Sequence, residues 1–266
     1  MNNIVANFDQ IVEFAKEYGL PLSKRRAILR EYLQIKVLDF IYQHKISSYV
    51  IFVGGTCLRL VRNLDRFSED LDFDLVDVPL TRIDQLVDAA SARLKKENIE
   101  HDLYRNKTSK RLYFELRFKN LLYELGISRN KSEKLSIKFD FESLWQRHNK
   151  EVVLVNRYGF LINIVTLPIN QHLIQKLVAY TGRVKTQPRD IYDISWLIAQ
   201  GAKPDWKFAK ENGFSENLML LAKKKFKEET RKLPGLKARL KPYLLSESYV
   251  TKLDLFPQLL ERTGNI

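Results

Sequence analysis

The feature that most restricts the fold of this chain lies within residues 52–74, where a double glycine follows a short apolar run and two aspartates recur at strand spacing. Side chains alternate between the two faces of a strand, so Asp70 and Asp72 project to one face while Leu71 and Phe73 turn to the other. Two carboxylates on one face repel each other unless a cation lies between them, and oxygen ligands of this kind suit Mg²⁺ or Mn²⁺. The pattern therefore predicts a half-buried strand that carries a metal site.

The double glycine, Gly54 and Gly55, comes directly after the apolar run. A residue without Cβ allows backbone N–H groups to approach a phosphate closely at the start of a helix. By itself this signal is weak, because any strand-to-helix turn can require a residue with positive φ. Combined with the aspartate pair, it predicts metal-dependent chemistry on a nucleoside triphosphate.

Composition narrows the class of protein. The chain has 266 residues, of which 45% are hydrophobic, enough for one large or two small domains with their own cores. No apolar run approaches the roughly 20 residues that a membrane-spanning helix needs, so we expect a cytoplasmic protein with no membrane partner. The single cysteine, Cys57, excludes an intramolecular disulfide and a cysteine-rich zinc site. A net charge of +13 favours a polyanionic partner such as nucleic acid.

Hydrophobic periodicity divides the chain into an N-terminal part with both strands and helices and a C-terminal part with helices alone. Helices are predicted at residues 24–44, 56–63 and 80–98, and strands at 49–53, 71–76, 112–118, 135–141, 151–155 and 161–165. The predicted fold class is α+β, with a mixed sheet flanked by helices in residues 1–167 and a helical bundle domain in residues 168–266.

A third carboxylate is available on the predicted strand at residues 135–141. Alternation places Asp140 and Glu142 on its polar face. If this strand lies beside the one that carries Asp70 and Asp72, Asp140 can join them in a cluster of three carboxylates. The ordinary explanation is a solvated polar face, and the residues alone do not decide between the two.

A second dense segment, residues 175–196, lies in the helical part. Lys176 and Arg183 are seven residues apart, so on one helix they share a face and could both reach an acidic ligand. Pro188 fits the first turn of the next helix and places Asp190 near its positive end, where a carboxylate is favoured for that reason alone.

In the same segment, Arg189 and Asp193 are four residues apart. Their simplest interpretation is an ion pair on the solvated face of a helix.

The run VGGTCLRLVRNLDRFSEDLDF, together with the later helical lysine and RDIYD run, closely resembles the signature of AbiEii-type toxins. That group includes the MenT-like toxins and lies within the nucleotidyltransferase β superfamily. Gly55, Thr56, Ser68, Asp70 and Asp72 match the first motif residue by residue. The second motif is similar to Lys176, Arg183, Arg189, Asp190, Tyr192 and Asp193. The resemblance extends from about residue 29 to residue 196.

The resemblance implies a Mg²⁺-dependent enzyme that transfers an NMP group from an NTP, acting as the toxin of a toxin–antitoxin or phage-defence pair with a cognate antitoxin. It assigns the metal to Asp70, Asp72 and Asp140, with Glu142 as the alternative third carboxylate. Catalytic roles fall to these aspartates with Lys176 and Asp190. Nucleotide binding falls to Gly54, Gly55, Thr56, Ser68, Lys176 and Arg183.

The acceptor that the resemblance suggests is RNA, in particular the 3′ end of tRNA. We expect the basic segment from Arg105 to Lys138, with Lys107, Lys110 and Arg111, to contact it, together with a lysine-rich run in the tail. The lysines of that run are Lys223, Lys224, Lys225 and Lys227. Two alternatives remain: nucleotidylation of a protein hydroxyl, and a non-catalytic nucleic-acid-binding protein with the same fold.

Overall fold

A computed structural model of the protein describes residues 2–108, 111–215 and 217–264. Lys110, one of the predicted RNA-binding residues, lies outside the described residues. Among those described, no helix combines the length and the apolarity that crossing a bilayer requires.

The chain divides into two compact units. Unit 1 comprises residues 1–62, 67–144 and 152–166. Unit 2 comprises residues 63–66, 145–151 and 167–266. The assignment of 1–167 and 168–266 as separate domains stays a prediction.

Unit 1 holds the strands and the helices that flank them. Its strands are β1 (Val50–Val53), β2 (Asp70–Leu75), β3 (Asp102–Lys107), β4 (Arg111–Phe118), β5 (Leu135–Glu142), β6 (Glu151–Arg157) and β7 (Phe160–Thr166). Its helices are α1 (Asn3–Ala6), α2 (Phe8–Glu17), α3 (Arg25–Tyr42), α4 (Gly54–Arg62), α5 (Leu80–Lys96) and α6 (Leu121–Glu124), with a 3₁₀ turn at Ser47–Tyr49.

The seven strands form one mixed sheet in the order β3-β4-β5-β2-β1-β7-β6. The central pair, β2 and β5, is parallel, and β2 is antiparallel to β1 on its other side. The strand β4 runs antiparallel to both β3 and β5. The strand that carries the aspartate pair is therefore paired on both sides.

One face of this sheet is closed by aromatic side chains from four neighbouring strands. Phe73 of β2 stacks on Phe141 of β5 with 4.7 Å between ring centroids. Phe52 of β1 contacts Phe73 at 5.3 Å, and Phe114 of β4 contacts Phe141 edge-on at 5.9 Å. All four rings are buried, so this face is core and the polar residues of β2 and β5 are turned to the opposite face.

Unit 2 is helical. Its helices are α7 (Ile169–Gly182), α8 (Pro188–Ala199), α9 (Trp206–Glu211), α10 (Leu218–Glu229), α11 (Leu233–Leu240) and α12 (Phe256–Gly264), with 3₁₀ segments at Thr230–Lys232, Lys241–Tyr243 and Glu247–Leu255. The central helix α8 packs against α7, α11 and α12, and α10 packs against α7 and α12. Pro188 begins α8, as its fixed φ and missing N–H predict.

The predicted fold class, α+β with a mixed sheet and a helical C-terminal part, is confirmed. Each predicted strand is present within a few residues of its predicted bounds. The strand β3 was missed, because its residues are almost all exposed and show no alternation of apolar and polar side chains. The four-residue helix α6 was also missed, since one turn is too short to show a period.

Candidate active site

The pairing of β2 with β5 brings the predicted carboxylates onto neighbouring strands. Asp72 lies directly beside Asp140 in the register of these strands, and Asp74 lies beside Glu142. Asp70 lies beside Lys138. The adjacency that the sequence left open is therefore present, and both third-carboxylate candidates occur on the face that carries Asp70 and Asp72.

Gly54 begins α4 directly against this acidic face. Its φ is +78°, and a Cβ at this position would lie 2.1 Å from Oδ2 of Asp72. Two independent constraints thus require glycine here: the left-handed backbone and the carboxylate that occupies the space of a side chain. The absence of a side chain lets the carboxylate of Asp72 lie directly against the first turn of α4.

Local hydrogen bonds fix the segment that enters β2. The Thr56 hydroxyl donates to the carbonyl of Asp70, and Gln34 of α3 donates to the carbonyls of Ser68 and Glu69 at 3.2 and 2.9 Å. Thr56 is fully buried. The side chain of Thr56 therefore positions Asp70 from inside the protein. The resemblance implies a different role for Thr56, namely phosphate binding.

The remaining members of the predicted phosphate-binding group differ in exposure. Gly55 lies inside the first turn of α4 and is buried. Ser68 is half-buried just before β2. Within the group in unit 1, Gly54 and Ser68 are thus the residues that retain contact with solvent.

Arg111, at the start of β4, bonds to the third carboxylate. Its Nε lies 2.8 Å and its Nη2 2.6 Å from Oδ1 of Asp140. The same Nε lies 3.2 Å from Oε1 of Glu142. This side chain was predicted to contact RNA, and the structure places it on Asp140. The antiparallel pairing of β4 with β5 brings Arg111 and Asp140 together, and residue spacing does not reveal this pairing.

Burial and the charges of the acidic face together shift the pKa values of Tyr113, Glu142 and Arg111. Burial, and then the charges of Glu115, Asp140 and Asp70, raise the pKa of Tyr113 to about 12. Burial also raises the pKa of Glu142; the guanidinium of Arg111 opposes this change, while Asp140 and Asp74 add to it. Burial disfavours the charged form of Arg111, yet its hydrogen bond to Asp140 and the charges of Asp140, Glu142 and Asp72 together outweigh burial and raise its pKa. Negative potential is therefore concentrated around Asp140.

The carboxylates of the acidic face are candidate ligands of a divalent cation. Among the described residues, no group of three or more His, Cys, Asp or Glu side chains is arranged to hold a metal ion. Mg²⁺ seldom needs such a cage, because it is usually held by one or two carboxylates together with substrate phosphates. The oxygen donors Asp70 and Asp72 fit a cation of this class, and Gly54 lets the Asp72 carboxylate lie against the start of α4.

Lys107, also predicted to contact RNA, lies at the end of β3. Its Nζ is 2.6 Å from Oδ2 of Asp84 on α5, and its side chain is exposed.

In unit 2 a buried charge network surrounds Asp193. Arg66 forms a bidentate ion pair with this carboxylate, with Nε 2.7 Å from Oδ1 and Nη2 2.7 Å from Oδ2. Lys176 contacts Oδ2 at 2.7 Å. The side chain of Asp193 is 0% exposed, so the expected surface ion pair with Arg189 is wrong. The guanidinium of Arg189 lies instead over the ring of Tyr243, 4.8 Å from its centroid.

The same network includes Asp190, near the start of α8. Lys176 lies 3.9 Å from its Oδ1, and Arg183 pairs with its Oδ2. Arg183 is the C-cap residue of α7 and not a member of the helix. The helical face that the spacing predicted for Lys176 and Arg183 is therefore not formed, although both side chains do reach one acidic group.

Sequence reasoning missed Arg66 as a partner of this network. The residue was present in the RFSEDLDF run, but its partner is 127 residues away in the chain. A fully buried arginine indicates a buried acidic partner, because charged side chains are rarely buried unless they are paired. The sequence does not show that Arg66 is buried.

A left-handed backbone costs an L-residue about 1–2 kcal/mol. We expect Gly54→Ala to lower the free energy of unfolding by more than this amount, because the new Cβ also clashes with Asp72. Gly19→Ala is the matched control. Gly19 also has positive φ, +65°, but its Cβ would meet no described atom within 4 Å. Equal losses for the two variants, measured by urea unfolding, would show that Asp72 does not confine Gly54.

We expect Asp193→Asn to destabilise the protein by about 3–5 kcal/mol, because it leaves Arg66 and Lys176 buried without their full counter-charge. Burial acts to raise the pKa of Asp193, but the charges and hydrogen bonds of Arg66 and Lys176 outweigh it and hold the pKa below its ordinary value. The carboxylate therefore contributes stability above its unfolded pKa, and this contribution is lost as the pH falls through the folded pKa.

The difference in urea midpoint between wild type and Asp193→Asn should accordingly stay constant from about pH 7 to about pH 5 and narrow only below about pH 4. A difference that narrows near neutral pH would assign the effect to another group.

Comparisons with known proteins were made on sequence and on structure. A sequence model of the family described as nucleotidyl transferase AbiEii toxin, type IV toxin–antitoxin system, matches residues 38–252. No curated protein matches the chain in a sequence search. The family match extends well past residue 196, where the resemblance read from the sequence ended.

Solved structures with the same fold are similar over most of the chain. The structure of JHP933 from Helicobacter pylori has 19% identity and a TM-score of 0.55, covering 90% of this chain and 93% of its own. A putative nucleotidyltransferase from H. pylori has 19% identity and a TM-score of 0.56, covering 90% and 96%. MenT4, a nucleotidyltransferase toxin from Mycobacterium tuberculosis, has 17% identity and a TM-score of 0.54, covering 94% and 88%.

The structural similarities establish a shared fold, and the family match covers most of the sequence. The chain belongs to the AbiEii family of nucleotidyl transferase toxins of type IV toxin–antitoxin systems.

Proposed function

We propose that this protein transfers an NMP group from a nucleoside triphosphate to RNA, at the 3′ end of a tRNA, in a reaction that depends on Mg²⁺ or Mn²⁺. The observation that carries the proposal is the register of β2 and β5, which sets Asp72 beside Asp140 on one face. The glycine at position 54 lets the start of α4 lie directly against the Asp72 carboxylate. Family membership supplies the reaction class, and the implied partners are a cognate antitoxin and a nucleotide.

In unit 1 we propose that one or two of the carboxylates of Asp70, Asp72 and Asp140 would hold the metal together with the substrate phosphates. Asp140 is favoured over Glu142 for this role because Asp140 lies beside Asp72 in the register, whereas Glu142 lies beside Asp74. The ion, when bound, would neutralise charge on the triphosphate during transfer. Gly54, Gly55 and Ser68 would orient the phosphates, while Thr56 holds Asp70 in place through its carbonyl.

In unit 2 we propose that Lys176 and Arg183 contribute positive charge to nucleotide binding. Asp193 and Asp190 hold the ammonium of Lys176 in a fixed position, so little conformational freedom remains to be lost when a phosphate binds. Asp190 would act on the nucleotide through these two cations.

The proposed step is a displacement at phosphorus. An acceptor hydroxyl oxygen attacks the α-phosphorus, a new P–O bond forms, and the bond to the bridging oxygen breaks to release pyrophosphate. The hydroxyl proton passes to a base, for which Asp140 is the candidate. Such chemistry depends mainly on positioning and electrostatic stabilisation, in keeping with several side chains held by hydrogen bonds.

We expect Asp72→Asn to abolish transfer and to leave the melting temperature without metal equal or higher, because repulsion between carboxylates is relieved. Labelled NTP, total cellular RNA and purified protein suffice for the activity measurement. Asp77→Asn, just beyond β2, is the matched control, since its left-handed backbone, φ 53°, tolerates asparagine. Transfer by Asp72→Asn in excess EDTA would contradict the metal-dependent reaction.

For the RNA acceptor, we propose a second basic region on α10 of unit 2, in addition to the stretch at Lys107 and Lys110. A hollow of about 440 Å³ in unit 2 is lined by Arg183, Lys224, Lys225 and Lys232, among other residues. Lys225 donates to the carbonyl of Tyr180 at 2.6 Å and thereby caps α7. Lys224 and Lys232 are exposed, and we propose that they contact RNA phosphates.

The affinity for tRNA should fall linearly on logarithmic axes as salt increases, with a slope of about 0.7–0.9 per phosphate contact. We expect Lys224→Glu with Lys232→Glu to reduce that slope and to raise the KM for RNA while leaving the KM for NTP unchanged. Lys95→Glu with Lys96→Glu, an equal charge reversal on exposed residues of α5, is the control. Lys107→Glu tests the β3–β4 stretch in the same assay.

A salt-independent affinity for RNA, or labelling of a protein in RNA-free lysate, would favour the alternative of protein nucleotidylation. No transfer with any NTP and any acceptor would favour a non-catalytic nucleic-acid-binding protein.

A further inference from the structure

Arg111 is held by the acidic face that was assigned to the metal. Two of its nitrogens lie within 2.8 Å of Oδ1 of Asp140, and its Nε also reaches Glu142 at 3.2 Å. Cross-strand register sets Arg111 opposite Glu142 and Tyr113 opposite Asp140. The guanidinium therefore occupies Oδ1 of Asp140, a carboxylate that is proposed to hold the cation.

Charge explains why an arginine is favoured at this position. The charges of Asp140, Glu142 and Asp72 all act to raise the pKa of Arg111. A guanidinium on this face lowers the repulsion among the carboxylates and supplies the counter-charge that a divalent cation would otherwise provide.

Exposure shows how firmly the arginine is held. The side chain of Arg111 is 52% exposed and that of Asp140 16% exposed. Ion pairs with one solvated partner contribute little net free energy. The pair is therefore formed but readily exchanged, unlike the buried pair of Arg66 with Asp193, whose side chains are 2% and 0% exposed.

We propose that Arg111 and the divalent cation compete for Asp140, and that the bound nucleotide ends this competition by accepting the guanidinium on its phosphates. The guanidinium is suited to that exchange, because its planar donors match phosphate as well as carboxylate. Metal and nucleotide then bind cooperatively, with Arg111 as the residue that couples them. This inference rests on the proposed metal-dependent function.

The test measures Mn²⁺ affinity by electron paramagnetic resonance, with and without a non-hydrolysable NTP analogue. We expect Arg111→Gln to bind Mn²⁺ alone about two- to fivefold more tightly than wild type, the size of effect that a half-exposed ion pair allows. The analogue should then increase the affinity of the variant for Mn²⁺ less than it does for wild type.

Arg105→Gln is the matched control, since Arg105 is a similarly exposed arginine paired with Asp88 rather than with the acidic face. It should leave both affinities unchanged. If Arg111→Gln folds poorly by circular dichroism, Arg111→Lys keeps the charge but loses the fork of donors, and we expect its Mn²⁺ affinity to lie between those of wild type and Arg111→Gln.

The outcomes separate this inference from the proposed function. Binding of Mn²⁺ that Asp72→Asn abolishes but Arg111→Gln leaves unchanged would overturn the competition and retain the metal site. If Arg111→Gln binds Mn²⁺ as wild type does but binds RNA more weakly, the competition is overturned and Arg111 is an RNA-binding residue. Absence of Mn²⁺ binding to wild type, with and without the analogue, would overturn both.

Discussion

The parallel pairing of β2 with β5 is the constraint on which the candidate active site depends. Phe73 stacks on Phe141 on the core face, and the same register sets Asp72 beside Asp140 on the other. Because side chains alternate with a period of two, a slip of one residue would bury the carboxylates and expose the rings. Burial of the aromatic side chains therefore fixes the position of the acids, because the two sets of side chains lie on opposite faces of the same strands.

Arg66, Lys176 and Arg111 are held by carboxylates of the protein, and burial divides these ion pairs into two kinds. Arg66 and Lys176 meet Asp193 at a carboxylate with no exposed surface. Breaking such a pair leaves an uncompensated buried charge and costs about 3–5 kcal/mol. Arg111 meets Asp140 near solvent, where ion pairs contribute about 0–1 kcal/mol. The first pair is suited to fixing a structure, and the second to exchanging partners when a ligand arrives.

This division also changes how the net charge of +13 is interpreted. From the sequence alone, each basic residue counts equally toward a polyanionic partner. In the structure, Lys107 is paired with Asp84 and Lys225 caps α7 through the carbonyl of Tyr180. The charge available to RNA thus depends on which basic side chains are exposed and which are held by the protein's own acceptors. Lys224, Lys227 and Lys232 are exposed, whereas Lys225 and Arg111 are held by acceptors of the protein.

The sequence by itself determined the local elements: a strand with Asp70 and Asp72 on one face, a glycine turn before α4, and a helical C-terminal part. These follow from side-chain alternation and helical periodicity, which act over a few residues. Only the tertiary structure decided that β5 lies beside β2, that Arg111 occupies Asp140, and that Asp193 is buried against Arg66. Each of these joins residues distant in the chain, 127 apart for the last pair. Strand neighbours and burial are set by packing of the whole core, which no local period records.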